Sequence, residues 1–279
     1  MIRSSQSRHL RNKTLAVIGL GQIGGSIIKC LAHVRPSPTL LAHDRDRRLA
    51  AKVARYAEWV TTLPIIVGRA DVIILATSVP AIIELMRQIA DLRRSLPGRL
   101  LVIDTGTVKQ EVAKEAARHK KRFDFIGLHP LAGSEGEGWD SSRADLFIDK
   151  RIVCSPPAGT RHPYVRQLIE VLGATPLPMD AREHDRFVAE AIGLPHLLAF
   201  AAAGMSHKNP LRAGSWASLT RVAASNPEMV AGFLSLNAVE QKRAIARFEK
   251  ELALLKRALV EPSGAQLRRI LIDRQRAGD

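Results

Sequence analysis

The chain has 279 residues, 46 % of them hydrophobic, and its 42 Lys and Arg against 27 Asp and Glu give a formal net charge of +15. This composition predicts one large or two modest globular domains with ample material for a buried core. No uninterrupted apolar run approaches the roughly 20 residues that cross a bilayer, and the basic residues lack the interleaved aromatics that stack on bases, so we predict neither a membrane nor a nucleic-acid partner.

Apolar and amphipathic segments alternate through the first 180 residues. The pattern predicts strands at 14–18, 40–43, 71–76, 100–104, 123–128, 152–155 and 175–179, and helices at 22–33, 47–56, 81–90, 108–119 and 163–172. This alternation is typical of the α/β class, with a Rossmann-type, doubly wound, mostly parallel sheet. Cys30 falls in a helix and Cys154 in a strand. Two cysteines form neither a disulfide framework nor a metal site, which fits a cytoplasmic location.

Beyond residue 180 the strand signals end, and long Ala- and Leu-rich helical stretches follow over 183–204 and 227–260. We therefore divide the chain into a Rossmann-type α/β domain, 1–180, and an all-α C-terminal domain, 181–279. The last helices carry more apolar positions, Phe233 among them, than a small bundle needs. They favour a homodimer interface, although an ordinary helical core would explain the same pattern.

The most informative motif lies between residues 15 and 26, which read LAVIGLGQIGGS. An apolar strand leads into a turn in which Gly19 can take a positive φ, Gly21 lets a pyrophosphate approach the backbone, and Gly24 allows the next helix to pack closely. Asp44 follows about 20 residues later, where a carboxylate accepts hydrogen bonds from ribose hydroxyls and favours NAD. Arg45 could accommodate a 2′-phosphate, so NADP stays an alternative. The predicted cofactor-binding residues are Gly19, Gly21, Gln22, Ile23, Gly24, Asp44, Arg45, Thr77 and Ser78.

Three loops follow predicted strands, at 77–80, 105–109 and 129–138. Ligands of such a sheet bind beyond the carboxyl ends of its strands. The third loop begins with His129, and an imidazole there can take a proton from a substrate hydroxyl while hydride leaves the same carbon. Thr107, in the second loop, offers a hydroxyl, although a Thr before a helix is more often an N-cap.

The glycine motif, the segment DTGTVK and the segment HPLAGSE together resemble the prephenate/arogenate dehydrogenases of tyrosine biosynthesis. The resemblance extends over about residues 13–260 and includes EHD at 183–185, LPH at 194–196 and TRVA at 220–223. It implies an NAD-dependent oxidative decarboxylation of prephenate or arogenate, which are small anionic cyclohexadienes. Without the resemblance, His184 and Asp185 would be interpreted as capping residues near a helix start.

The resemblance also implies roles for single residues. His129 would take the proton of the ring hydroxyl, and Thr107, where the family usually has Ser, would hydrogen-bond the same hydroxyl or His129. Arg221 matches the substrate-binding arginine of the family, whose guanidinium suits a carboxylate. Ser134 and Glu135 match positions that close over the substrate.

Three positions depart from the family pattern. Gly193 stands where the family commonly has a substrate-site His, Ser218 where it has Asp, and Val230 where it has Trp. His196, nearly one helical turn beyond Gly193, could partly substitute as a substrate-binding residue. Two alternatives therefore stay open: a dehydrogenase for an amino analogue of prephenate, and a dinucleotide-binding sensor with a degenerate substrate site. A β-hydroxyacid dehydrogenase is disfavoured, because residues 187–200 contain neither its Lys nor its Asn.

Overall fold

The computed structural model describes residues 10–96, 98–133, 136–205, 210, 212–260 and 263–278. Within them one sheet has eight strands: β1 (Thr14–Ile18), β2 (Thr39–His43), β3 (Glu58–Trp59), β4 (Val72–Leu75), β5 (Leu101–Asp104), β6 (Asp124–Pro130), β7 (Arg151–Ser155) and β8 (Thr175–Pro178). Their spatial order is β3-β2-β1-β4-β5-β6-β7-β8. Neighbouring strands are parallel except for β6 and β7, which are antiparallel.

Helices connect most of the strands, and the described part of the chain after β8 contains helices without strands. The α-helices are α1 (Gln22–Leu31), α2 (Ala50–Val53), α3 (Leu63–Arg69), α4 (Val79–Leu92), α5 (Gln110–Arg118), α6 (Pro163–Val171), α7 (Ala181–Val188), α8 (Leu194–Met205), α9 (Ser215–Thr220), α10 (Pro227–Leu236), α11 (Ala238–Ala258) and α12 (Ala265–Gly278). A π-helical turn at Ala189–Gly193 joins α7 to α8, and a 3-10 turn at Arg221–Ala224 follows α9.

Both faces of the sheet are covered, which is why β4 (VIIL) is apolar and buried along its whole length. One hydrophobic cluster includes side chains of α1 and α6, and a second, on the other face, includes those of α3, α4 and α5. The order of the strands reverses between β1 and β4, and a doubly wound sheet opens a ligand crevice at such a point. The predicted Rossmann-type sheet followed by helices is confirmed.

Several boundaries differ from the sequence-based expectation. The strand β3 is not predicted, because two residues are too few to show a period. The helix expected at 47–56 is a 3-10 turn followed by the four-residue α2. The strand expected to end at residue 128 continues to Pro130, because β7 pairs with it through His129↔Val153 and Pro130↔Ile152. The helix expected over 227–260 is broken at Asn237, between α10 and α11.

The C-terminal helices pack beside the carboxyl ends of the strands. Helix α10 packs on α4, and α7 packs on α5. Val230 and Phe233 of α10 are buried in the cluster that also contains the apolar side chains of α4. The loops after β4 and β5 therefore face helices from the second half of the chain.

The run Ala181–Met205 is a continuous helical segment that is long and apolar enough to cross a membrane, judged by length and composition alone. Its first turns carry charged residues, and its His184 and Asp185 are buried. Only 22 % of its apolar window is buried within the chain. Most of that apolar surface lies outside the core.

Candidate functional site

The turn between β1 and α1 has the shape that its glycines predict. Gly19 has a φ of +91°, and a Cβ there would lie 2.5 Å from Thr77 Cγ2. A Cβ on Gly24 would overlap the carbonyl oxygen of Gly19. A Cβ on Gly21 would meet nothing within 4 Å. Gly19 and Gly24 thus bring strand and helix together, while Gly21 leaves its backbone open to a ligand.

Asp44 ties the end of β2 to this turn. Its Oδ2 accepts the Leu20 N–H at 2.7 Å, and its Oδ1 accepts the Asp46 N–H at 2.8 Å. A carboxylate has about four acceptor sites, so both oxygens keep acceptor capacity. The two backbone bonds hold the carboxylate in place beside the glycine turn.

A cleft of about 520 Å³ opens beyond the strand ends. Its lining residues are Gly21, Gln22, Ile23, Arg45, Ala76, Thr77, Ser78, Val79, Thr105, Gly106, Thr107, Gly136, Glu137, Gly138, Ser225, Asn226, Glu228, Met229 and Phe233. Seven predicted site residues are among them: Gly21, Gln22, Ile23, Arg45, Thr77, Ser78 and Thr107. The residues from α10 and its preceding turn were not predicted as part of the site.

Three helix N-termini meet at this cleft. Gly21 is the N-cap of α1, Ser78 that of α4 and Asn226 that of α10, and all three line the cleft. The Asn226 side chain accepts the N–H groups of Glu228 and Met229, at 3.0 and 3.1 Å. Its own N–H donates to Glu137 Oε1 at 3.1 Å, which links the loop after β6 to α10. The positive ends of the helix dipoles make the cleft suitable for an anionic ligand.

His129 does not line this cleft. It lies in β6 rather than in the following loop, because pairing with β7 continues past it, and its exposed fraction is 8 %. Its Nδ1 lies 2.9 Å from Nε2 of His184, and the two rings meet edge to face. Burial, together with the neighbouring His184 and Lys109, holds the pKa of His129 well below its usual range. The imidazole is therefore a neutral group at neutral pH.

A buried polar network continues from His129 through His184 to Asp185. His184 Nδ1 lies 2.8 Å from Asp185 Oδ1. Asp185 also accepts the N–H groups of Lys109 and Gln110, at 2.7 and 2.8 Å, so it caps α5 rather than its own helix. Asp185 is thus a capping residue, as the sequence indicates, but the helix that it caps is α5. The helix in which it lies, α7, is capped by Asp180 through the N–H groups of residues 182 and 183.

Lys109 and Asp104 form a buried ion pair beside this network. Lys109 Nζ lies 2.5 Å from Asp104 Oδ2 and 2.6 Å from the Gly106 carbonyl oxygen, and the two side chains are 1 % and 0 % exposed. Burial raises the pKa of Asp104, and Lys109 opposes that shift. The pair fixes the loop after β5, which carries Thr107 into the cleft.

Of the remaining predicted substrate residues, His196 and Arg221 lie among the described residues, and neither lines the cleft. His196 donates from Nδ1 to the Ile192 carbonyl at 2.8 Å, and its ring packs edge to face on Phe233, a wall of the cleft. Arg221 is exposed at the start of the 3-10 turn and does not line the cleft. Ser134 and Glu135 lie outside the described residues. Gly19, Gly24 and Asp44 are not among the lining residues of the cleft.

The space beside Gly193, where the family resemblance implies a histidine, is filled by the side chain of Gln241. A Cβ on Gly193 would overlap Gln241 Oε1 and lie 3.1 Å from Leu234 Cδ2. Gln241 is 5 % exposed, and its Oε1 makes no hydrogen bond within the described residues. Its Nε2 donates to the Ala189 carbonyl at 3.4 Å.

Two family models match the chain. The model described as prephenate dehydrogenase, nucleotide-binding domain, matches residues 38–176, and the one described as prephenate dehydrogenase, dimerization domain, matches residues 180–273. The first match begins after the glycine turn, so that motif is independent of it.

Curated relatives and solved structures agree with these matches. A cyclohexadienyl dehydrogenase of Zymomonas mobilis is 29 % identical over 91 % of this chain and 91 % of its own length. A prephenate dehydrogenase of Lactococcus lactis is 30 % identical over 86 % of this chain and 69 % of its own length. The crystal structure of prephenate dehydrogenase from A. aeolicus in complex with hydroxyphenyl propionate and NAD+ superposes with a TM-score of 0.85, covering 97 % of this chain and 100 % of that one at 24 % identity. This last likeness shows a shared fold.

Proposed function

Because the chain belongs to the prephenate dehydrogenase family, we propose that it oxidises and decarboxylates prephenate to 4-hydroxyphenylpyruvate with NAD. One observation carries the proposal: the cleft is lined at once by the glycine turn, by the Thr107 loop and by α10. A dinucleotide on the sheet and a small substrate under α10 would meet there. Arogenate, which yields tyrosine, is the second candidate substrate, since a relative of this chain is named a cyclohexadienyl dehydrogenase.

The residues present fit NAD. Gly21 leaves room for a pyrophosphate, and three helix N-termini favour its negative charge. The Asp44 carboxylate is suited to a ribose diol and would repel a 2′-phosphate. Arg45, which lines the cleft, is exposed. Gln22, Ile23, Thr77 and Ser78 would line the rest of the cofactor site. When bound, NAD supplies the acceptor for the hydride.

Although His129 does not line the cleft, it would act as the general base, which is the role that the family resemblance implies for it. Its pKa lies well below the usual range, so the unprotonated ring that a base needs is the prevalent form at neutral pH. It takes the proton of the ring hydroxyl while the hydride leaves the same carbon. The bond to the ring carboxylate then breaks, CO2 leaves, and the electron pair makes the ring aromatic. The proton returns from His129 to the phenolate oxygen, so the reaction releases no net proton.

Thr107 and the substrate residues would place the ring for this step. Thr107 lines the cleft, and its hydroxyl would hydrogen-bond the ring hydroxyl or His129. Arg221 would pair with a substrate carboxylate, and Ser134 and Glu135 would close over the substrate. His196 would hold the substrate side of the cleft through its contact with Phe233.

The direct test mixes purified protein and NAD with prephenate, arogenate or aminodeoxyprephenate and follows the absorbance of reduced nicotinamide. We expect turnover with prephenate. A His129→Asn variant should bind NAD normally and lose about 100-fold or more of kcat. Its matched control, His33→Asn, replaces an exposed histidine two residues beyond the C-terminal end of α1, and its kcat should stay near wild type. NAD binding without turnover of any of the three substrates would instead support the sensor.

We further propose a homodimer formed through the C-terminal helices, with a boundary between the two domains at residue 180. The sheet ends at Pro178, and the two family models meet at the same place. The proposal is supported by the exposed apolar side chains Met205, Val239 and Leu252, and by the apolar surface of 181–205 that the chain itself leaves uncovered. A cytoplasmic location fits Cys30 and Cys154, which are both free and buried.

A further inference from the structure

We propose that His184 and Asp185 are positioning residues for His129: they keep its proton on Nδ1, so that Nε2 carries the lone pair that takes the substrate proton. The inference rests on the proposed function, because it concerns the group that accepts the hydroxyl proton in that reaction. It adds to that function the reason why one ring nitrogen of His129 is the base.

Asp185 is the fixed end of the chain of hydrogen bonds. Its Oδ1 accepts the Lys109 N–H and its Oδ2 the Gln110 N–H, at the N-terminus of the nine-residue α5. The positive end of a helix dipole favours an ionised carboxylate, and an ionised carboxylate can only accept hydrogen bonds. His184 Nδ1, which lies 2.8 Å from Oδ1, must therefore donate.

The donation by His184 decides the protonation of the next ring. When each imidazole carries a single proton, a protonated Nδ1 leaves Nε2 of His184 with a lone pair. That Nε2 lies 2.9 Å from Nδ1 of His129, which must then be the donor. Nε2 of His129 is left unprotonated, as a general base requires.

The network is held rigidly. His129, His184 and Asp185 are 8 %, 2 % and 1 % exposed, so water has little access to offer other partners. Asn237 donates from Nδ2 to the Asp185 carbonyl at 2.7 Å, which anchors this part of α7 to the start of α11. The other charge nearby, Lys109, is engaged by Asp104.

The opposite arrangement would disable the base. A second proton on His184 would make its Nε2 a donor to Nδ1 of His129, and the proton of His129 would then sit on Nε2. Asp185→Asn leads to the same result, because the amide nitrogen of Asn can donate to His184 Nδ1. An equivalent exchange of an acid for its amide behind a catalytic histidine costs about 10⁴-fold in kcat in serine proteases.

The test combines the protonation state of His129 with turnover. Histidine nitrogen NMR on the isotope-labelled full chain, assigned with His129→Asn, should show His129 protonated on Nδ1 at neutral pH. His184→Leu removes the acceptor and should abolish this preference, with kcat reduced by about 100-fold or more and the Kd of NAD unchanged. His184→Gln keeps an acceptor oxygen and should restore kcat to within about tenfold of wild type.

Asp180→Asn is the matched control, because Asp180 caps α7 through N–H groups at 2.9 Å but does not touch the imidazole pair. It should leave kcat and the NMR spectrum of His129 near wild type, whereas Asp185→Asn should change both. His129 protonated on Nε2 in the native protein would overturn the proposal, as would His184→Leu with wild-type kcat. A protein that turns over none of the substrates refutes the proposed function, yet the NMR result still decides the protonation of His129.

Discussion

The side chain of Gln241 fills the space beside Gly193, where the family resemblance implies a histidine. The substitution Gly193→Ala tests whether Gln241 excludes a side chain from this position. In Gly193→Ala the new Cβ overlaps Gln241 Oε1, and the amide has to retreat by more than about 1 Å to reach ordinary contact. That retreat breaks the hydrogen bond from Nε2 to the Ala189 carbonyl. A histidine at this position would meet the same obstacle.

The two contributions to stability have opposite signs. Overpacking a filled site costs about 1–3 kcal/mol, while Ala in place of Gly within a helix gains about 0.5–1 kcal/mol. Gly193→Ala should therefore lower the free energy of unfolding, by up to about 2.5 kcal/mol. In a Gln241→Ala background only the tight contact with Leu234 Cδ2, at 3.1 Å, is left, and the same substitution should raise the free energy of unfolding by up to about 1 kcal/mol.

The assay is urea unfolding followed by circular dichroism, with all variants at one protein concentration because the proposed dimer would unfold in a concentration-dependent way. Gly204→Ala is the matched control: it lies in the same helical run, and its Cβ would meet nothing within 4 Å, so it should stabilise in both backgrounds. An equal effect of Gly193→Ala with and without Gln241 would refute the reasoning, because no coupling would then exist between the two positions.

Lys109→Met leaves Asp104 as an unpaired buried charge, so the free energy of unfolding measured in urea should fall by about 3–5 kcal/mol. The control, Arg99→Met, breaks an exposed ion pair and should change the free energy of unfolding by less than about 1 kcal/mol. Equal losses in the two variants would contradict the assignment of Lys109 and Asp104 as a buried ion pair. Arg87, followed by His119 and Arg118, lowers the pKa of Glu115 from 4.5 to about 2. The stabilisation that ionised Glu115 gives to the fold is present above pH 4.5 and is lost as the pH falls toward about 2, at up to about 1.4 kcal/mol per pH unit. Acid denaturation of Glu115→Gln should therefore show a weaker dependence of the free energy of unfolding on pH in this range. Asp44→Ser removes a charge that opposes a 2′-phosphate, so the preference in kcat/KM should shift toward NADP by about tenfold or more. Unchanged kinetics with both cofactors would remove Asp44 from that role.

Local patterns were sufficient for seven of the eight strands and for much of the cofactor side of the cleft. The apolar run of β4 indicates a buried strand, and the glycines at 19, 21 and 24 indicate the conformation of a turn. Both properties depend mainly on residues that are neighbours in the sequence. Strands that alternate with helices admit few topologies, so the loops holding Thr77 and Thr107 could be placed at one edge of the sheet in advance. These residues do line the cleft.

The environment of His129 could not be predicted from local sequence patterns. Its strand position depends on pairing with β7, and its partner His184 lies 55 residues away along the chain. The motif EHD singled out His184 and Asp185 only through the family resemblance, and no local rule indicates that Asp185 caps a helix from another part of the chain.

The sequence by itself determined the class of fold, the dinucleotide turn and the family, because each depends on short patterns whose physical cause is local. Only the tertiary structure decided that α10 completes the cleft, that Gln241 occupies the space beside Gly193, and that His129 is held by a buried pair instead of standing in an open loop. A periodic pattern tells which face of an element is buried, but the partner that covers it is chosen by packing between distant segments.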